Sequence, residues 1–126
     1  MANLEGKKIL IVEDDTLLSE LLAKKFFEEK VLVEHAGDGE MAISMINAKK
    51  YDLILLDLLL PKVDGYAVLR NLNDSTMSKG TPVIVFSNLG QKADVEKGLA
   101  LGVKKFLVKA ILSLDEVIEA VQDVLK

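Results

Sequence analysis

Short apolar runs alternate along the chain with longer segments in which apolar residues recur every three or four positions. Ile9-Leu10-Ile11-Val12, Leu53-Ile54-Leu55-Leu56 and Val83-Ile84-Val85-Phe86 are uninterrupted, the pattern of strands buried on both faces. Val31 to His35 and Phe106-Leu107-Val108 complete five short strand candidates, with Pro82 at the start of the fourth, where a missing N–H is tolerated. Helical spacing follows each strand. Leu17, Leu18, Leu21, Leu22, Lys25 and Phe26 come after a cap at Asp15 or Thr16, and Met41, Ala42, Met45 and Ile46 come after a cap at Asp38. A third helix is expected from about Gly65 to Leu72, and a fourth from about Gln91 to Leu101, stopped by Gly102. The last opens with a capping box, Ser113-Leu-Asp-Glu116, and carries Val117, Ile118, Val121 and Val124. Five β–α units of this kind predict an α/β fold, a parallel sheet covered by helices on both faces, as one domain over residues 1–126.

Composition narrows the chemistry. Half of the 126 residues are hydrophobic and 29% are charged, which excludes disorder and low complexity. With no cysteine, thiol catalysis, disulfide scaffolds, iron–sulfur clusters and zinc fingers are excluded. One histidine cannot build a His-rich metal site, and His35 is assigned no role. The net charge of −4 argues against direct nucleic-acid binding. No apolar stretch approaches the roughly 20 residues of a membrane span, and the first residues lack the run and cleavage site of a signal peptide. A cytoplasmic protein with no membrane partner is expected.

In open α/β sheets, ligands bind beyond the carboxyl ends of the strands. Glu13, Asp14 and Asp15 follow the first strand, Asp57 the third, Ser87 the fourth and Lys109 the fifth. An acid after a strand is often only a helix cap, and Asp15 is read that way. Asp57 is different: apolar residues flank it on both sides, and a buried carboxylate is costly unless a cation neutralises it. Glu13, Asp14 and Asp57 form an all-oxygen donor set that suits Mg²⁺, with Mn²⁺ as a substitute. An ionised Asp57 can attack phosphorus, with the metal, Lys109 and Ser87 stabilising the phosphoryl oxygens. GxGxxG, GxxxxGK[ST], a nucleophile elbow and a two-aspartate D-x-D motif are all missing.

The segments Ile-Leu-Ile-Val-Glu13-Asp14-Asp15, Asp52-Leu-Ile-Leu-Leu-Asp57-Leu-Leu-Leu-Pro61-Lys-Val-Asp64-Gly65, Val-Ile-Val-Phe-Ser87 and Phe106-Leu-Val-Lys109 together resemble the response-regulator receiver domain of two-component signalling. The resemblance covers essentially the whole chain. It implies a flavodoxin-like (βα)5 sandwich of strand order 2-1-3-4-5. It also implies Asp57 as phosphoacceptor, served by a sensor histidine kinase or histidine phosphotransfer protein. Asp14 and Asp57 would ligate Mg²⁺ with the Leu59 main-chain carbonyl, and Glu13 would act through water. Ser87 and Phe106 resemble the pair that relays phosphorylation to the surface of helix four, strand five and helix five, where an unknown downstream protein would bind. Pro61 and Gly65 resemble the family's loop punctuation. Chemistry would be self-directed, phosphotransfer and autophosphatase, with no metabolite turned over.

Three features depart from or refine the pattern. Asn88 stands where the family has a small residue, and Ala110 where it has proline. These two motivate an alternative, a receiver-like interaction domain that works without phosphate. A cis Lys109–Ala110 bond would cost about 2.5–4 kcal/mol, yet it is expected here because the site needs that lysine inward. Leu59 and Leu89 occupy the positions that flank the path of the hydrolytic water, so slow dephosphorylation is expected.

Overall fold

A computed structural model describes residues 3–126. The elements run β1 (Lys8–Val12), α1 (Thr16–Glu28), β2 (Leu32–Ala36), α2 (Gly39–Ala48), β3 (Leu53–Leu56), α3 (Gly65–Asp74), β4 (Val83–Ser87), α4 (Lys92–Ala100), β5 (Lys105–Val108) and α5 (Leu114–Leu125). All strand pairings are parallel, in the order β2-β1-β3-β4-β5. This is the expected flavodoxin-like topology.

The uninterrupted apolar strands follow from the two-sided cover. Successive strand residues point to opposite faces, so Leu10, Val12, Ile54, Leu56 and Val85 pack with α2 and α3 on one side. Ile9, Ile11, Leu53, Leu55 and Phe86 pack with α1 and α5 on the other. Each buried side chain of this kind contributes roughly 1.5–3 kcal/mol. Asp15, Asp38, Asp64 and Ser113 cap α1, α2, α3 and α5 through their side chains, and the expected box between Ser113 and Glu116 is present.

Differences from expectation are local. β2 starts one residue later, at Leu32, because Val31 closes α1 instead: its N–H donates to the Phe26 carbonyl at 3.0 Å, and the Lys30 N–H donates to Phe27. This is a Schellman closure with Lys30, φ 60°, in the left-handed position that glycine usually takes. Gly102, φ 89°, does the same job after α4, with Val103 donating to Gly98. A single 3-10 turn over Lys109–Ile111 had no signal in the apolar pattern.

Candidate functional site

The sheet order reverses between β1 and β3, and the carboxyl ends of these strands carry the acids. β1 ends at Val12, so Glu13 and Asp14 lie on the connection to α1; β3 ends at Leu56, so Asp57 is the next residue. The ladder holds them in step: the Asp57 N–H donates to the Val12 carbonyl and the Glu13 N–H to the Ala36 carbonyl, both at 3.0 Å. One carboxylate oxygen from each of Glu13, Asp14 and Asp57 lies within 4.8 Å of the others. Glu13 and Asp57 are 2% and 4% exposed, whereas Asp14 faces solvent.

The Asp57 carboxylate is held at both oxygens. Oδ1 accepts from the Ser87 hydroxyl at 2.7 Å and from the Leu59 N–H at 2.9 Å, and Oδ2 accepts from Lys109 Nζ at 2.6 Å. The same ammonium lies 2.5 Å from Glu13 Oε1, so it bridges the two buried acids. Glu13 Oε2 in turn accepts from the Asp15 N–H. Burial pushes the Glu13 carboxyl above the ordinary carboxylate range, and the Lys109 hydrogen bond offsets only part of this. Burial alone would lower the Lys109 pKa, but its bonds to Asp57 and Glu13 outweigh that and hold it above the usual lysine value.

Lys109 reaches the site without the expected cis bond. None of the described peptide bonds is cis; the chain turns inward through the 3-10 turn at Lys109–Ile111, and two carboxylates hold the ammonium. The expectation of a cis Lys109–Ala110 bond is therefore corrected. Ala110 and Asn88 are both exposed.

Of the remaining sequence candidates, Leu59 meets the site through its N–H, and the residue is 51% exposed. Leu89 is partly buried against the core and donates its N–H to the Ser87 hydroxyl oxygen at 3.3 Å. Phe106 stands apart from the acids, paired with Val85 two residues short of Ser87 along the ladder. Its ring packs under α4, where a Cβ added at Gly98 would come within 3.1 Å of it. His35, given no role from sequence, has Nε2 2.7 Å from the Glu13 carbonyl oxygen. Nothing in the linear pattern marked it, since the contact joins residues 22 apart.

Three carboxylates facing one ammonium leave two formal negative charges unbalanced, the amount a divalent cation supplies. The donors are all hard oxygens and the cluster is open to water at Asp14, so the residues fit an ion that keeps part of its hydration.

A family model, the response regulator receiver domain, matches residues 9–122. The chain belongs to that family. The receiver is similar to the transcriptional regulatory protein CusR of Escherichia coli K12, at 37% identity over 102 residues, 81% of this chain and 44% of the relative. The chain thus spans less than half the length of that relative. Among solved structures, it is similar to the receiver domain of the Francisella response regulator 1452, with a TM-score of 0.85 and 32% identity, covering 95% of this chain and 96% of that one. The receiver domain of the sensor histidine kinase PA1611 from Pseudomonas aeruginosa superposes with a TM-score of 0.84 at 26% identity, covering 94% and 96%. That structure is described with a magnesium ion coordinated in its active-site cleft.

Proposed function

We propose that this receiver is a phosphorylation-operated switch in which Asp57 accepts a phosphoryl group from a sensor histidine kinase or a histidine phosphotransfer protein. The observation that carries it is the environment of Asp57: a nearly buried carboxylate held by Ser87, Leu59 and Lys109 beside two further acids. In the transfer, an Asp57 carboxylate oxygen attacks phosphorus, the P–N bond of the phosphohistidine breaks, and the imidazole leaves with its electron pair. Lys109 is placed to neutralise the incoming phosphoryl oxygens, and the Ser87 hydroxyl to turn from Asp57 Oδ1 toward one of them. Mg²⁺, or Mn²⁺ in its place, would be held by Asp14, Asp57 and the Leu59 carbonyl, with Glu13 acting through water, and would supply charge neutralisation at the same oxygens. The chemistry is self-directed, transfer in and hydrolysis out, so the protein acts as a switch and not as an enzyme of metabolism.

The Ser87–Phe106 pair would carry the change to the surface of α4, β5 and α5, where a downstream protein docks. The kinase or phosphotransfer protein would meet the start of α1, where Leu17 is 66% exposed and Leu21 lies one turn on. The acidic balance supports a protein partner, not nucleic acid. No helix among the described residues is long and apolar enough to cross a membrane, in keeping with a cytoplasmic site of action. The test is intact mass after treatment with acetyl phosphate. One added phosphoryl group that requires both Mg²⁺ and Asp57 is expected. No uptake from acetyl phosphate or from a histidine kinase would favour the phosphate-independent interaction domain that Asn88 and Ala110 suggested.

A further inference from the structure

Two of the three clustered carboxylates, Glu13 and Asp14, sit on the short connection between β1 and α1, so their aim depends on how that connection is held. One grip comes from the main chain of β2: the Glu13 N–H donates to the Ala36 carbonyl, extending the parallel ladder one residue beyond β1. A second comes from a side chain of β2, because His35 Nε2 lies 2.7 Å from the Glu13 carbonyl oxygen. A carbonyl only accepts, so Nε2 carries the proton and donates. The Glu13 carbonyl and the Asp14 N–H belong to one planar peptide unit, and fixing that plane sets the directions in which both side chains leave the backbone. Glu13 is thus held on its N–H, its carbonyl and both carboxylate oxygens. The imidazole is exposed, so the bond is not something that core packing forces on it.

We infer that His35 is a positioning residue for the acidic cluster: by clamping the Glu13–Asp14 peptide it holds both carboxylates toward Asp57 before a cation arrives. The inference rests on the reading of Glu13, Asp14 and Asp57 as a divalent-cation site. It predicts that the donor at Nε2 matters, not the ring. Calorimetric titration with Mg²⁺ of the wild type, His35→Ala and His35→Gln tests it, since glutamine presents an N–H at similar reach. Removing the donor is expected to weaken Mg²⁺ binding about tenfold in His35→Ala, with His35→Gln within about threefold of wild type. Amide NMR spectra of the metal-free proteins provide a second readout. In His35→Ala the Asp14 and Asp15 signals should shift while those of β4 and β5 stay in place, which also shows that the variant is folded. Equal Mg²⁺ affinity in wild type and His35→Ala would overturn the inference alone. Equal weakening in both variants would overturn it too, by assigning the effect to the ring. A wild type that binds no Mg²⁺ would overturn the cation reading and the inference with it.

Discussion

Gly65 begins α3, and a Cβ built there would stand 2.4 Å from the Leu58 Cα and 2.9 Å from the Asp57 carbonyl oxygen. The neighbours are backbone, so they cannot swing aside as a long side chain would. The Gly65 N–H also donates to the Leu58 carbonyl at 3.1 Å, which pins α3 against the residue after Asp57. Gly65→Ala should therefore cost about 1–3 kcal/mol of stability, the range for overpacking, and lower the rate of phosphoryl uptake because the displaced backbone carries Asp57. Urea unfolding and uptake kinetics measured together check both parts. Lys109 makes the complementary case for charge. Its side chain is only 14% exposed and bridges two acids that are themselves nearly buried. Lys109→Met leaves those acids with no cation, and metal-free stability should fall by about 3 kcal/mol. Saturating Mg²⁺ should restore most of that loss, read as unfolding midpoints with and without the ion, while phosphoryl uptake stays lost.

At the scale of elements, the edge strand β2 is tied to its surroundings by a side chain as well as by its ladder with β1. Glu34 accepts from Lys49 Nζ at 2.8 Å and from the Tyr51 hydroxyl at 2.7 Å, linking β2 to the connection between α2 and β3. The Lys49 hydrogen bond, then that from Tyr51, hold the Glu34 carboxyl below its ordinary value of 4.5. Burial, together with Glu34, holds the Tyr51 phenol well above its own. A carboxylate whose folded pKa is depressed contributes stability that is complete above its unfolded value and is lost as pH falls through the folded one. Wild type should accordingly exceed Glu34→Gln in stability at pH 7 and 5, with the gap closing below 4.5. Urea midpoints across that range decide it; a gap independent of pH would assign the effect to packing. The elements themselves were legible in the sequence. Apolar runs such as Leu53–Leu56 have no other way to be buried, and Asp38 and Ser113 cap where their side chains predict. What escaped were closures made by backbone geometry. Lys30 takes a left-handed turn that glycine would announce, and the 3-10 turn at Lys109–Ile111 carries no periodicity.

At the scale of the whole molecule, the ends of four separate strands, β1, β3, β4 and β5, bring polar groups together at one edge of the sheet. That convergence made Glu13, Asp14, Asp57, Ser87 and Lys109 recognisable together, since each follows an apolar run. The contribution of His35 was not legible, because it depends on the register that sets Ile11 beside it. The route taken by Lys109 is not legible either, because the 3-10 turn that carries it inward with no cis bond leaves no mark in the apolar pattern. Lifetime of the phosphorylated state is a property of the assembled mouth of the site. Leu59 is half-exposed there and Leu89 is partly buried, and aliphatic groups exclude water without orienting it. The double variant Leu59→Asn, Leu89→Glu should shorten the aspartyl-phosphate half-life about tenfold or more, as positioned polar groups do for proton transfer. Loss of ³²P label over time measures it, and an unchanged half-life would remove these two side chains from the account.

Of the 20 acidic residues, Asp57 is the one proposed to take the phosphoryl group. Borohydride reduces an acyl phosphate of aspartate to homoserine, so reduction after treatment with acetyl phosphate and Mg²⁺, followed by peptide mass mapping, reports the modified position directly. Homoserine is expected at position 57 and should be absent when the metal is chelated. Homoserine at Asp14 or elsewhere, with residue 57 recovered as aspartate, would contradict it.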